Sequence, residues 1–174
     1  MKRSVGLLSL VGFSITCLLG TILHFLYDLL GQAKWITPFS GVNESTWEHM
    51  KLIFWPMLIF AIAERFFLQD RTDFWCVKLK GILMGLGLIP VLFYTYNGAI
   101  GPSSDYINIA IFFLSAGIAF LWEYNHFQKK DGDCRFPRLS ILFLCLIGLL
   151  FALFTFFPPK IGLFLDPITR SYGI

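Results

Sequence analysis

Charged residues are scarce in this chain. Aspartate, glutamate, lysine and arginine together make up 14% of its 174 residues, against about 25% in a typical soluble domain. Hydrophobic residues make up 56% of the chain, and 18% are aromatic. Because too few polar residues remain to cover a water-facing surface, the composition excludes an ordinary soluble domain and predicts a protein whose solvent is the lipid bilayer.

The sequence also lacks any cluster of basic residues interleaved with aromatic ones, and its net charge is only +3. We therefore expect no nucleic-acid partner, and the slight positive balance fits contact with an anionic inner leaflet. Internal repeats and low-complexity linkers are absent as well. The expected organisation is one transmembrane domain over residues 1–174.

Long apolar runs are what the chain has in abundance. An α-helix rises about 1.5 Å per residue, so about 20 residues cross a hydrocarbon core about 30 Å thick. Five runs exceed the roughly 18 residues that separate spanning helices from buried core helices. The predicted fold is therefore an all-α, polytopic bundle of five transmembrane helices. The predicted spans are 5–30, 47–68, 77–98, 107–127 and 139–157, with longer segments at 31–46 and 158–174.

The distribution of basic residues predicts the orientation of this bundle. With the N-terminus inside, ten of the fourteen lysines and arginines lie on the cytoplasmic side, as the positive-inside rule requires. The loop 31–46, the tail 158–174 and the C-terminus then lie outside. The ten inner basic residues are Lys2, Arg3, Arg65, Arg71, Lys78, Lys80, Lys129, Lys130, Arg135 and Arg138.

The four cysteines agree with this orientation. Cys17 and Cys145 fall within spans, while Cys76 and Cys134 fall at the inner surface and none lies outside. Because thiols are kept reduced in the cytoplasm, we expect no disulfide, and we expect no thiolate metal site.

The segment 42–51 packs four ionisable side chains into ten residues at a membrane border, which marks a candidate site. Ser45 and Glu48 form a capping box that begins the second helix. Capping does not account for His49, nor for the presence of Glu44 beside Glu48.

The first span is expected to bring further polar side chains to the same end of the bundle. Gly12, Thr16 and Gly20 recur every four residues, which lets two helices approach closely. The same series continues to His24 and Asp28, so we expect these two side chains to face the bundle interior at its outer end.

Three interpretations of this outer group stay open: a polar network that locks the helices together, a divalent metal site such as zinc, and a site for a small polar solute or lipid headgroup. The candidate metal ligands are His24, Asp28, Glu44 and His49. The candidate binding residues are His24, Asp28, Asn43, Glu44, Glu48, His49, Tyr94, Asn97, Asn108 and Asp166.

A second polar group lies at the inner ends of the spans, where Glu64, Lys78 and Glu123 are found together with Arg65, Lys80 and His126. The favoured interpretation is a belt of ion pairs at the membrane interface, with lysines that snorkel to water. A proton path with Glu64 and Glu123 as carriers is the alternative, but few polar residues at middle depth would connect it to the outer side.

Two blocks carry a resemblance to a known family. The blocks His24-Phe25-x-Tyr27-Asp28-Leu29 and Val42-Asn43-Glu44-Ser45-x-Trp47-Glu48-His49-x-Lys51-Leu52 resemble a family of small bacterial multi-pass membrane proteins. The tail, with Leu163-Phe164-x-Asp166-Pro167 and Tyr172-Gly173, is similar to that family's ending. The resemblance implies a bacterial plasma membrane protein; since the family has no known function, it implies no activity, cofactor or catalytic residue.

Three classes of function follow. The first is a protein that binds or transports a small solute or lipid headgroup in an outward-facing polar vestibule. The second is a metal-dependent membrane hydrolase with Glu44 or Glu48 as general base. The third is an accessory subunit that contributes helices to a complex, or an oligomer, for which the stripe Gly12, Thr16, Gly20 would supply a packing face.

Overall fold

A computed structural model describes residues 2–129, 132 and 134–174, with side chains described from Ser4 onward. Within these residues the chain forms five α-helices and one short 3-10 turn, and its only β pairing is an isolated bridge between Leu165 and Tyr172. The predicted all-α class is confirmed. The helices are α1 (Lys2–Leu29), α2 (Thr46–Glu64), α3 (Phe74–Ala99), α4 (Asp105–Phe127) and α5 (Pro137–Phe156), followed by the 3-10 turn Gly162–Phe164.

Four of the helices are long and apolar enough to cross a membrane. They are α1 from Ser4 to Leu29, α3, α4 and α5, and each is mostly exposed on its outer surface, where lipid would cover it. Four of the five predicted spans are thus helices that could cross a membrane. As α2 carries Glu48, His49, Lys51 and Glu64, its crossing of the membrane stays a prediction.

The position of α2 explains how it tolerates these charges. It packs against each of the other four helices, and Ile53, Phe54 and Ala61 have no exposed surface. A helix at the centre of a bundle meets protein instead of lipid, so its polar groups can find partners in neighbouring helices. We conclude that α2 is the core element around which the four apolar helices pack.

The stripe on α1 makes the close contact that its spacing predicts. A Cβ added at Gly12 would overlap the rings of Phe60 and Phe120, and one added at Gly20 would lie 2.5 Å from Phe112 Cζ and 2.7 Å from Leu52 O. Small residues therefore seat α1 against α2 and α4. The stripe is used inside this chain.

The loop 31–46 and the C-terminal tail cover one end of the bundle, which we call the outer end because the orientation prediction places it outside. Ser40 Oγ accepts a hydrogen bond from Tyr27 N at 3.0 Å, which holds the loop against the end of α1. Asn43 Nδ2 donates to Gly173 O at 2.9 Å, and the ring of Trp47 lies between Phe151 and Phe164. The tail consequently folds back over the start of α2.

The opposite end is held together by a disulfide between Cys76 and Cys134, whose Cα atoms are 6.1 Å apart. The expectation of no disulfide is therefore wrong. It rested on the compartment alone, whereas the α2–α3 and α4–α5 connections lie side by side. Asp73 joins them, because its carboxylate accepts from both Arg71 Nη2 at 2.7 Å and Gly132 N at 2.9 Å.

Three of the ten basic residues counted on the inner side lie wholly or partly outside the described residues. They are Lys2 and Arg3, whose side chains are not described, and Lys130. Lys78, also counted on the inner side, is 1% exposed. It does not snorkel to water, so the interpretation of an interfacial belt is wrong for this lysine.

Candidate functional site

Three of the predicted metal ligands converge at the outer end of the bundle. His24 near the end of α1, Glu44 in the loop and His49 in the first turns of α2 each offer a ligand atom, and these atoms lie within 4.8 Å of one another. Glu44 Oε1 is 3.8 Å from His24 Nε2, and its Oε2 is 3.4 Å from His49 Nε2. One carboxylate therefore faces two imidazoles.

Helix geometry orients one of these imidazoles. His49 Nδ1 lies 3.0 Å from Ser45 O, the carbonyl one turn earlier. A proton on Nδ1 would donate to that carbonyl and leave the lone pair of Nε2 directed at Glu44. Backbone carbonyls commonly hold metal-binding histidines in this way.

The side chains of the triad, meaning His24, Glu44 and His49, are neither buried nor fully exposed: 29%, 40% and 21% of their surfaces are accessible. Zinc bonds of about 2.0–2.2 Å in tetrahedral geometry bring neighbouring ligand atoms to about 3.3–3.6 Å. The two separations from Glu44, 3.4 and 3.8 Å, are close to that range, and all three ligand atoms lie within 4.8 Å of one another, so small movements of the partly exposed side chains would close the site. The nitrogen and oxygen donors also suit zinc or a similar divalent ion. The residues present therefore fit a metal.

Asp28, the fourth predicted ligand, is not part of this group. It is exposed in the last turn of α1, so the expectation that Asp28 faces the bundle interior is wrong: the helix ends here, and the backbone carbonyl of Asp28 accepts from Gly31 N. Its role as a ligand stays a prediction.

A cavity of about 210 Å³ adjoins the triad, with Glu44 and His49 in its wall. Its remaining lining comes from Thr46 at the start of α2, from α3, α4 and the loop between them, and from the tail. Both apolar and polar side chains line it. The other lining residues are Thr46, Ile89, Phe93, Asn97, Pro102, Ser103, Asp105, Asn108, Ile111, Phe112, Pro167 and Ile168.

Two predicted amides, Asn97 and Asn108, meet in this cavity through a residue the sequence did not single out. Asn97 Oδ1 accepts from Ser103 N at 2.9 Å, and Ser103 Oγ donates to Asn108 Oδ1 at 2.8 Å. Tyr94 is three residues before Asn97 on α3, and its hydroxyl is 3.5 Å from Thr46 Oγ1. The polar wall is thus fixed by internal hydrogen bonds.

Asp105 is the main lining residue that sequence reasoning missed. It begins α4 after a Gly-Pro-Ser-Ser turn, so its sequence context indicates a helix start and nothing more. A signal was nevertheless present, because Asp105 and the predicted Asn108 are one helical turn apart and share a face.

Three other predicted residues have structural roles. Asn43 links the loop to the tail and accepts from Ser45 N at 2.9 Å. Asp166 is 3% exposed and folds the tail, because its carboxylate accepts from Ile168 N and Thr169 Oγ1, both at 2.8 Å. Glu48 is 2% exposed and faces away from the cavity.

Glu48 belongs to a buried network with Lys51, which has no exposed surface. Lys51 Nζ lies 2.5 Å from Glu48 Oε2 and donates to Thr37 O and Thr155 Oγ1, both at 2.8 Å. Val42 N also donates to Glu48 Oε2, at 3.0 Å. The network ties α2 to the loop and to α5, as the polar-lock interpretation predicts for Glu48; for His24, Glu44 and His49 the three interpretations stay predictions.

The fold and the site together define a helical protein with four helices able to cross a membrane and, at one end of the bundle, a cavity lined by both apolar and polar side chains. The chain belongs to the Family of unknown function (DUF6512), whose model matches residues 4–174. Membership of a family without an assigned function, which the resemblance implied, is thereby confirmed. No curated protein and no solved structure matches the chain.

Proposed function

We propose that this protein is a multi-pass protein of the bacterial plasma membrane that binds a small ligand in the outward-facing cavity, with a divalent metal ion held by His24, Glu44 and His49 as its anchor. The convergence of these three side chains beside the cavity, with Glu44 and His49 in its wall, carries the proposal. Their exposure supports it, because a metal there would keep an open coordination position toward the cavity.

The lining indicates the chemistry of the ligand. Asp105 and Glu44 supply negative charge, and Asn97, Ser103 and Asn108 supply hydrogen-bonding groups. Apolar side chains from α3 and α4 face them, as in most small-molecule sites, where a few polar groups fix orientation. A solute or lipid headgroup with hydroxyl or amine groups and a short apolar portion fits this wall.

A metal-dependent hydrolase is the second candidate. The specific observation in its favour is Asp105, a carboxylate in the same cavity that does not belong to the triad. Zinc acidifies a bound water for attack on an ester or amide, and a nearby carboxylate can accept its proton. Asp105 replaces the predicted Glu48 as the candidate base, because Glu48 is buried against Lys51.

The accessory-subunit class has less support. Its packing face was the stripe Gly12, Thr16, Gly20, and that stripe is covered by α2 and α4 of the same chain. Association through other lipid-facing surfaces is not part of our proposal.

Metal analysis of the purified protein tests the proposal. Protein prepared without chelator, or titrated with zinc at neutral pH, is expected to hold one equivalent of metal and to melt at a higher temperature with it. The double variant His24→Ala/His49→Ala is expected to lose both effects. His126→Ala is the matched control, since this histidine stacks on Trp122 at the other end of the bundle.

Absence of bound metal in the folded wild-type protein, after zinc titration, would overturn the metal-anchored site. The hydrolase candidate adds one requirement: Asp105→Asn should keep the metal and lose turnover of a small ester. Equal turnover in that variant would remove Asp105 as the base.

A further inference from the structure

A second buried site lies at the opposite end of the bundle and plays no part in the proposed function. Lys78 Nζ on α3 is 2.5 Å from Glu64 Oε2 on α2 and 2.5 Å from Glu123 Oε2 on α4. The exposed fractions are 1% for Lys78, 2% for Glu64 and 1% for Glu123. We call these three residues the inner triad.

The charges of the inner triad do not balance. Two carboxylates and one ammonium leave one negative charge when all three groups are ionised. An uncompensated charge in a buried, apolar site is far more costly than a neutral polar group, and such a site normally takes up or releases a proton instead. Charge balance therefore requires one additional proton.

The surroundings keep the lysine charged and leave the extra charge on the carboxylates. Four aromatic rings lie with their centres 5.4 to 6.0 Å from Lys78 Nζ, a distance at which ring faces attract a cation. These rings belong to Phe60, Phe74, Phe120 and Phe127.

Other charges nearby are directed elsewhere. Arg65, directly after α2, donates to Leu68 O and lies over the ring of Phe74, and Arg71 is paired with Asp73. On α1, Val5 packs into the adjacent apolar cluster; the side chains of Lys2 and Arg3 are outside the described part. Among the described groups, then, Lys78 is the one cation that contacts the two carboxylates.

Two carboxylate oxygens of the inner triad are buried and have no hydrogen-bond partner among the described residues: Glu64 Oε2, which has only its ion-pair contact with Lys78, and Glu123 Oε1. The ion pair of Glu123 with Lys78 is made by Oε2, so Glu123 Oε1 marks the place for the missing proton. It faces Gly81 of α3, where any Cβ would overlap the carboxylate. Glycine at this position lets Glu123 approach α3 closely enough to reach Lys78, although it offers Oε1 no donor.

We propose that the inner triad is a proton-binding site that holds one exchangeable proton between Glu64 and Glu123 at neutral pH. Its three members come from three helices, so uptake or release of that proton changes the interaction that joins α2, α3 and α4. The ligand of the site is the proton itself. The site thereby makes the packing of the bundle responsive to pH.

Infrared spectroscopy of the full chain in detergent or lipid tests this charge balance through the C=O stretching band of protonated carboxylic acids. Wild-type protein at neutral pH is expected to show one such group from the inner triad. Glu64→Gln and Glu123→Gln should each abolish it, because either variant leaves one carboxylate for one ammonium. Lys78→Met should raise it to two. Glu44→Gln, in the partly exposed outer site, is the matched control and should leave this C=O band unchanged.

A second readout covers the case in which Lys78→Met fails to fold. The folded state would retain a proton that an unfolded glutamate releases above about pH 4–5, so stability should fall as the pH rises toward 8. Glu123→Gln should flatten that dependence and melt no lower than wild type at pH 8. A wild-type spectrum without a protonated acid that either glutamine variant removes, together with equal pH dependence in wild type and Glu123→Gln, would overturn the proposal.

Discussion

Two of the lysines whose side chains the structure describes are buried, Lys51 and Lys78, and they differ in the number of carboxylates that contact them. Lys51 has one carboxylate, a hydroxyl and a backbone carbonyl, so its charge is matched. Lys78 has two carboxylates and no neutral acceptor among the described contacts. The first arrangement is suited to a fixed structural contact, and the second to a group that exchanges a proton. Residue type and burial alone do not separate the two roles; the count of counter-charges does.

The structural role of Lys51 leads to a stability prediction. Lys51→Met leaves the Glu48 carboxylate buried without its cation, which typically costs about 3–5 kcal/mol. The double variant Glu48→Gln/Lys51→Met removes both charges and should recover much of that loss. Thermal or denaturant unfolding in detergent measures both effects. Lys80→Met, at an exposed position on α3, is the control, and an equally large loss there would contradict the explanation.

At the scale of helices, α1 is positioned by the small residues on its inward face. Local spacing predicts such a stripe, and the structure adds what it contacts: aromatic rings of α2 and α4 and the backbone of α2. Helices in a membrane gain little from burying apolar surface against one another, so close packing is what holds them in place. Adding a single methyl group on this face of α1 should therefore lower the stability of the protein.

Gly20→Ala tests this contact. The new Cβ would lie 2.7 Å from the backbone carbonyl of Leu52, which cannot rotate away, so α1 must shift; overpacking of this kind typically costs about 1–3 kcal/mol. We expect a lower melting temperature. In Gly87→Ala, on an exposed face of α3, the added Cβ meets nothing within 4 Å, and no loss of stability is expected. Equal effects of the two substitutions would show that the α1 contact is not tight.

The sequence could predict the features that depend on local pattern, but not those that depend on contacts between distant segments. Apolar length and turn residues are local, so the all-α class, the five helices and the start of α2 at its Ser45 cap were within reach. The meeting of His24 with Glu44 and His49 followed from the stripe and the border position of the loop. The partner of Lys51 on α5, Thr155, lies 104 residues away. No local pattern says which face of α5 meets α2.

At the scale of the whole molecule, two observations favour opposite orientations. The positive-inside rule places the N-terminus, Cys76 and Cys134 on the cytoplasmic side, with ten of fourteen basic residues. A persistent disulfide is instead typical of an oxidising compartment. The bias of the charges acts when the chain is inserted into the membrane, whereas the disulfide forms wherever an oxidant reaches two thiols held side by side, and Asp73 and its partners supply that proximity. We therefore keep the orientation with the N-terminus inside and the cavity facing out.

This orientation makes a prediction in intact bacterial cells. A cysteine introduced by Glu44→Cys, in a chain that also carries Cys17→Ser and Cys145→Ser, should react with a membrane-impermeant maleimide before the cells are broken. The Cys76–Cys134 disulfide then lies on the other side of the membrane, so in the same chain without Glu44→Cys a membrane-impermeant reductant followed by that maleimide should leave both cysteines unlabelled in intact cells. The reverse pair of results, with position 44 protected until lysis and Cys76 and Cys134 reduced and labelled in intact cells, would invert the molecule. The cavity and its metal ligands would then face the cytoplasm, and the inner triad would respond to the pH outside.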